Sequence, residues 1–412
     1  MPGSKSESAR ALVLAAISDG PSTVTGLLTC RDTDLMRAGL GAFGVSVAEE
    51  REGVVRVHPP RHWRSGATVE CGLAGTVMRF LPALAATVAG TTTFTGDEAA
   101  RRRPLSGLLD ALAQLGAGAD GDRLPLTLTV PARLGGPTVE VDASASSQFV
   151  SALLLAAPRM PEGLDLHHVG HTLPSAPHIE MTCRMLADHG VEVSCPEPGR
   201  WVVAPGPVVA RDTAIAPDLT NAAVFLAAAM VAGGSVEVLD WPVATTQPGG
   251  VFLDVAAQMG ARVERGEGWV RVSSQDLVGA DVDLHAASEL TPVVAALAAL
   301  ARGRTTITGV AHIRGHETDR IAALAADLAA TGVRVEERRD GLVIDGAPAR
   351  ALAPVWWACH GDHRMAHAGA LLGLAVEGMS LDDIACTAKT MPDFPALWAG
   401  LVEGTRGQEG SR

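Results

Sequence analysis

IAALAADLAATGVRVEERRDGLVID, residues 321–345, is the stretch that decides the fold. Ile321 to Gly332 reads as an amphipathic helix, and Gly332 suits the left-handed position that ends one. Val333-Arg334-Val335 then alternates as a half-exposed strand does, and a charged turn leads to a second strand, Leu342-Val343-Ile344. Four earlier stretches repeat the pattern. They are Leu35–Gly44 before Val45-Ser46-Val47, Leu108–Gly116 before Leu126-Thr127-Leu128, Met181–Gly190 before Val191-Glu192-Val193, and Val255–Gly260 before Ala261-Arg262-Val263. The glycines at 44, 116, 190, 260 and 332 are 72, 74, 70 and 72 residues apart. That period is too long for common solenoid units, so each copy reads as a small α/β subdomain with two helices.

A sixth glycine is expected near 404, and Gly404 follows the helical stretch Pro395–Val402 without a strand pair after it. The unfinished unit is expected to borrow a strand from the N-terminus. Six units divide as three and three, with the boundary near residues 211–217. The expectation is two similar α/β domains with a cleft between them, residues 4–215 and 216–412, with residues 1–3 at the crossover.

Composition narrows the function. The chain has 412 residues, 47% hydrophobic but only 3% aromatic and without tyrosine, so its cores are built from Ala, Val and Leu. A net charge of −13 speaks against nucleic acid and requires a local cationic pocket for any anionic ligand. No signal-peptide pattern is visible, and apolar stretches such as Val293–Ala301 are too short to span a membrane. The six cysteines form no C-x-x-C pair, which fits free thiols in a reducing cytoplasm.

Several helix starts carry chemistry. Gly3-Ser4-Lys5-Ser6, followed by Arg10 and an apolar run, offers N–H groups and cations to a phosphate. Gly72-Leu73-Ala74-Gly75-Thr76 either admits a ligand close to backbone or simply starts a tight helix. Arg101-Arg102-Arg103-Pro104 forms an anion site or a solvated basic face, and Ser144–Gln148 caps a helix or also holds phosphate. In the second half, Arg314–Arg320, Asp362-His363-Arg364 and Lys389-Thr390-Met391-Pro392 together supply Arg320, Arg364 and Lys389 for a second anion, with Glu317 as an acid or base. Two histidine clusters, at 167, 168 and 171 and at 360, 363 and 367, lack the H-E-x-x-H signature, and no metal or other cofactor is assigned.

In order, GSKS, GLAGT-x-MR, RP, SSQF, HETDR, DHRMA and KT-x-P resemble the enolpyruvyl transferase family from Pro2 to about Leu401, and within it the branch that acts on shikimate 3-phosphate. The variants GLAGT, PSAPH and RGHETDR are most similar to the actinobacterial form. The resemblance implies a two-domain inside-out α/β barrel, each domain of three βαβαββ units. It implies transfer of the enolpyruvyl group of phosphoenolpyruvate to the 5-hydroxyl of shikimate 3-phosphate by a cytoplasmic monomer. The alternatives are a paralogous transferase with another acceptor and a catalytically weakened ligand-binding homologue.

By position, the resemblance assigns Lys5, Ser6, Arg10, Ser146, Ser147, Gln148, Ser175, Glu289 and His316 to shikimate 3-phosphate, and Lys5, Gly75, Arg103, Gln148, Arg320, Arg364 and Lys389 to phosphoenolpyruvate. Glu289 is then the base on the 5-hydroxyl, and Glu317 with Lys5 protonates the methylene carbon. Cationic walls that repel until anions bridge them are expected to drive closure. The chain differs from the commoner family pattern at Ala9, Leu73, His178, Glu289 and His316, and in lacking the strand ahead of GSKS.

Overall fold

In the computed structural model, which describes residues 1–274 and 276–409, all five repeat glycines take positive φ. The values are +97° at Gly44, +91° at Gly116, +77° at Gly190, +94° at Gly260 and +95° at Gly332. Each follows a helix and precedes a strand, as the period requires. The mixed α/β chain divides into two bodies. One is Gly3–Ala216 with Thr246–Pro248; the other is Met1–Pro2, Pro217–Thr245 and the chain from Gly249 on.

The first body holds three four-stranded sheets of one design: a parallel pair extended by an antiparallel hairpin. In the second of them, Thr68–Glu70 lies parallel to Gly90–Thr95, which pairs antiparallel with Leu126–Val130, itself paired with Gly118–Ala119. The third repeats this with Thr138–Val141, Leu164–His168, Arg200–Val203 and Val193–Ser194. In the first sheet the opening strand is not upstream of its unit. Thr213–Ala214 takes that place, parallel to Ser22–Thr25.

Among the described residues of the second body only one sheet is complete. Asp281–Asp283 is parallel to Arg304–Thr308, followed by Gly341–Asp345 and Arg334–Arg338. Ser235–Leu239, Trp269–Ser273 and Arg262–Gly266 form a three-stranded sheet without an opening strand. Trp356–Trp357 and Ser380–Leu381 form a parallel pair without a hairpin. Two expectations are corrected here. The N-terminus does not complete that pair: Pro2 and Ser4 bond instead to the 216–218 segment, through Asp218 N–H to the Pro2 carbonyl and Ser4 N–H to the Ala216 carbonyl. Nor does Gly404 end a helix, because Phe394–Glu409 is one continuous helix.

Each body is built around three helices buried on nearly every side. They are Lys5–Ile17, Val77–Ala85 and Gln148–Ala156 in the first, and Leu219–Ala232, Thr291–Leu300 and His363–Ala375 in the second. Apolar residues all round mark a helix for burial, and alanine lets such helices approach closely. Their exposed counterparts, such as Pro177–Asp188 and Arg320–Ala330, bury one stripe only. The candidate residues fall largely at the N-terminal ends of the buried helices, where unpaired N–H groups and the helix dipole favour anions.

Candidate active site

Ser4 caps the first buried helix, its Oγ accepting from the Glu7 N–H at 3.4 Å, so Lys5 and Ser6 lie in the first turn. Lys5 Nζ stands 3.6 Å from Asp32 Oδ2, and Ser6 Oγ stands 3.4 Å from His178 Nε2. Arg10 turns into the packing and is only 1% exposed. Its Nε donates to Thr182 Oγ1 at 2.7 Å and its Nη1 to the Ser6 carbonyl at 2.9 Å. Nη2 donates to Ser151 Oγ at 3.1 Å and to the His178 carbonyl at 2.9 Å. Burial pulls its pKa down to about 10, against the opposing pull of Glu7. Arg10 thereby ties the backbone of Ser6 to that of His178.

Gly75 precedes the second buried helix. A Cβ there would lie 2.9 Å from Arg79 Nη1, 3.1 Å from Arg103 Nη2 and 3.3 Å from Gln148 Oε1. Three polar side chains thus converge on bare backbone. Arg79 Nη1 holds Gln148 Oε1 at 3.0 Å and the Gly75 carbonyl at 3.3 Å, while Arg103 Nη1 donates to the Leu73 carbonyl at 3.2 Å. Ser146 Oγ accepts from the Gln148 N–H at 3.3 Å, and Ser147 beside it is buried. Ser175 has φ +52°, a left-handed conformation that side chains rarely adopt and that concentrates at functional sites.

The second body centres on Arg320, which is fully buried. Asp362 receives it in bidentate fashion, Oδ2 from Nε at 2.8 Å and Oδ1 from Nη2 at 3.1 Å. Nη1 reaches Glu289 Oε2 at 2.8 Å and Nη2 reaches Glu317 Oε2 at 3.1 Å. Lys389 Nζ bonds the other Glu317 oxygen. Arg364 Nη1 donates to Asn221 Oδ1 at 2.8 Å and its Nε lies 3.6 Å from Glu289. His316 Nδ1 is 3.5 Å from Glu289 Oε1. Burial works to raise the Glu289 carboxyl, but Arg320, His316 and Arg364 outweigh it and hold the group well below the usual carboxylate range.

Within this body three carboxylates already answer three cations. The expected bare cationic wall is therefore not what the second body presents, because Glu289, Glu317 and Asp362 fold in with Arg320, Arg364 and Lys389. Inside this body Glu317 accepts from both Arg320 and Lys389. Sequence reading left Arg79, Asn221 and Asp362 without roles, although Arg79 and Asp362 stand inside quoted motifs. Asp362 had a signal: an aspartate just before a helix is a capping residue, and its Oδ1 accepts from the Arg364 N–H at 2.9 Å.

A family model described as EPSP synthase (3-phosphoshikimate 1-carboxyvinyltransferase) matches residues 1–398. Among solved structures, an EPSP synthase from Acinetobacter baumannii is 26% identical with a TM-score of 0.80, covering 96% of this chain and 93% of that one. A second structure of EPSP synthase from the same organism is 25% identical with a TM-score of 0.79 over the same shares. The enolpyruvyl transferase NikO from Streptomyces tendae shares the fold at a TM-score of 0.74, with 20% identity, covering 97% of this chain and 93% of that one.

Proposed function

The chain belongs to the EPSP synthase family, and from that membership we propose how its own residues carry the reaction. The activity is transfer of the enolpyruvyl group of phosphoenolpyruvate to the 5-hydroxyl of shikimate 3-phosphate, releasing phosphate, a step of the shikimate pathway toward aromatic amino acids. Shikimate 3-phosphate is assigned to Lys5, Ser6, Ser146, Ser147, Gln148, Ser175, Glu289 and His316. Arg10 serves that set from behind, by fixing Ser6 and His178. Phosphoenolpyruvate is assigned to Lys5, Gly75, Arg103, Gln148, Arg320, Arg364 and Lys389, with Arg79 holding Gln148 in register.

In this reading Glu289 takes the 5-hydroxyl proton as the oxygen bonds to C2 of phosphoenolpyruvate. Lys5 and Glu317 deliver a proton to C3, giving a tetrahedral intermediate. Loss of a C3 proton and of phosphate then restores the double bond, the departing charge being met by fixed cations. The Arg320 network supports one further detail. The substrate carboxylate can replace Glu289 on Arg320 and Arg364. Glu289, released from the cations that depress its pKa, becomes a stronger base as the substrate arrives.

The family match over residues 1–398 carries the reaction. The test is phosphate release by the purified protein. Release is expected only when both shikimate 3-phosphate and phosphoenolpyruvate are present. Folded protein that releases none, or that releases it only with a different acceptor, overturns the reading.

A further inference from the structure

Residues 56–64, RVHPPRHWR, carry Arg56, His58, Arg61, His62 and Arg64 without an acid, in a chain whose net charge is −13. The proposed reaction uses none of them. The segment leaves the strand Val54–His58 of the first sheet and is fastened again at its far end. There the Arg64 N–H donates to the Phe43 carbonyl at 3.1 Å and the Gly66 N–H to the Thr91 carbonyl at 2.6 Å. Between these anchors Pro59 to Trp63 line a cleft of about 480 Å³. The rest of the lining comes from the C-terminal ends of the three buried helices of this body, through Ile17 and Ser18, Thr87 and Val88, and Arg159. At about 1.5 Å per residue, Ile17 lies roughly 18 Å along its helix from Lys5, so the cleft stands apart from the candidate active-site residues of this body.

Arg159 is held there without being neutralised. Its guanidinium lies over the Trp63 ring, 4.2 Å from the centroid, and Trp63 packs on Phe43 with ring centroids 5.9 Å apart. Its Nε donates to Thr87 Oγ1 at 3.1 Å. Nη1 and Nη2 have no acceptor among the described residues, yet neither is sealed from water. The described lining residues include no carboxylate, and burial pulls the Arg159 pKa down to about 10. An arginine at a helix end can serve simply to meet carbonyls. Here other donors meet them. The Ala15 carbonyl accepts from Ser18 Oγ at 2.9 Å and that of Leu84 from Thr87 Oγ1 at 2.7 Å. Those of Ala85 and Ala157 accept from the Val88 and Met160 N–H groups at 2.9 and 3.0 Å.

We propose that this cleft is a binding site for small phosphate monoesters, with Nη1 and Nη2 of Arg159 holding the phosphate and Arg61 supplying the second charge. A planar guanidinium suits an oxyanion because parallel N–H groups can meet two of its oxygens. A phosphate monoester is close to a dianion at neutral pH, which two arginines balance, whereas a single carboxylate leaves one of them unanswered. The cleft is larger than a phosphate group alone requires and falls in the range of small-molecule sites. Pro59 and Pro60 give the body of the ligand a flat apolar surface.

The experiment titrates the isotope-labelled protein with glycerol 3-phosphate and follows the NMR signal of the Trp63 indole N–H, identified by its loss in Trp63→Phe. Glycerol, and sodium chloride at matched ionic strength, are the controls. The expected result is a saturable shift that neither control produces, with tighter binding than inorganic phosphate. Arg159→Gln should weaken binding about tenfold or more. Arg61→Gln, which alters an exposed side chain and leaves the packing intact, should weaken it about two- to fivefold, and it decides the matter if Arg159→Gln does not fold. Lys5→Ala should keep the shift, which separates this cleft from the phosphate sites of the reaction. No saturable shift, an equal shift with either control, tighter binding of inorganic phosphate, unchanged affinity in Arg61→Gln, or loss of the shift in Lys5→Ala overturns the proposal.

Discussion

A methyl group at Gly75 would press on side chains from three separate stretches, those of Arg79, Arg103 and Gln148, all within 3.3 Å. Gly75→Ala should therefore raise the KM for phosphoenolpyruvate about tenfold and move that for shikimate 3-phosphate much less, as steady-state kinetics can measure. Asp362 stands at the opposite extreme, a wholly buried acid whose charge is matched by Arg320 on two bonds. Asp362→Ala removes two bonds from that guanidinium, which keeps Glu289 and Glu317, and also removes a helix cap, so urea unfolding should show a loss of about 2–4 kcal/mol. Arg10 shows where reading by residue stops. Its motif position is visible in sequence, but its direction is set by Thr182, Ser151 and His178, all more than a hundred residues away.

The repeat glycines act at the level of the helix, and they do not all do so alike. At Gly332, with φ +95°, a Cβ would meet nothing within 4 Å, so the cost of alanine is conformational alone. At Gly260 the same Cβ would also run into the Asp276 carbonyl at 2.4 Å. Chemical denaturation should give about 1–2 kcal/mol for Gly332→Ala and distinctly more for Gly260→Ala. These glycines were legible because a left-handed helix end has few other solutions. The start of the first helix was less so: the apolar run begins at Ala11, but Ser4 caps the chain and winds Lys5 through Arg10 into the same helix. The Arg320 network was legible as a set of cations. Its neutral balance was not, because Glu289, Glu317 and Asp362 come from three distant segments.

At the scale of the whole molecule the charge of −13 at pH 7 falls to zero near the sequence pI of 5.4. Turbidity should peak near that pH as mutual repulsion vanishes. The fold should survive it. Glu289, Asp142, Asp165, Asp345 and Asp382 all have lowered carboxyl pKa values, Glu289 against its own burial through Arg320, His316 and Arg364, and Asp142 chiefly through Ser144, whose N–H it accepts. A depressed carboxyl stabilises above its unfolded pKa and loses that contribution only as pH falls through its folded pKa, below the usual carboxylate range. Precipitate formed at pH 5.4 should thus redissolve at pH 8 with its phosphate-release activity recovered. The pairing of Val24 with Thr213 and of Thr25 with Ala214 also gives this molecule a timetable. On the ribosome, Ser22–Thr25 emerges early and its parallel neighbour follows after roughly 10–40 s at ordinary elongation rates. Until then the first sheet keeps an open edge, the kind of surface other chains can add to. A strand made before its neighbour is thus sealed only when that neighbour arrives.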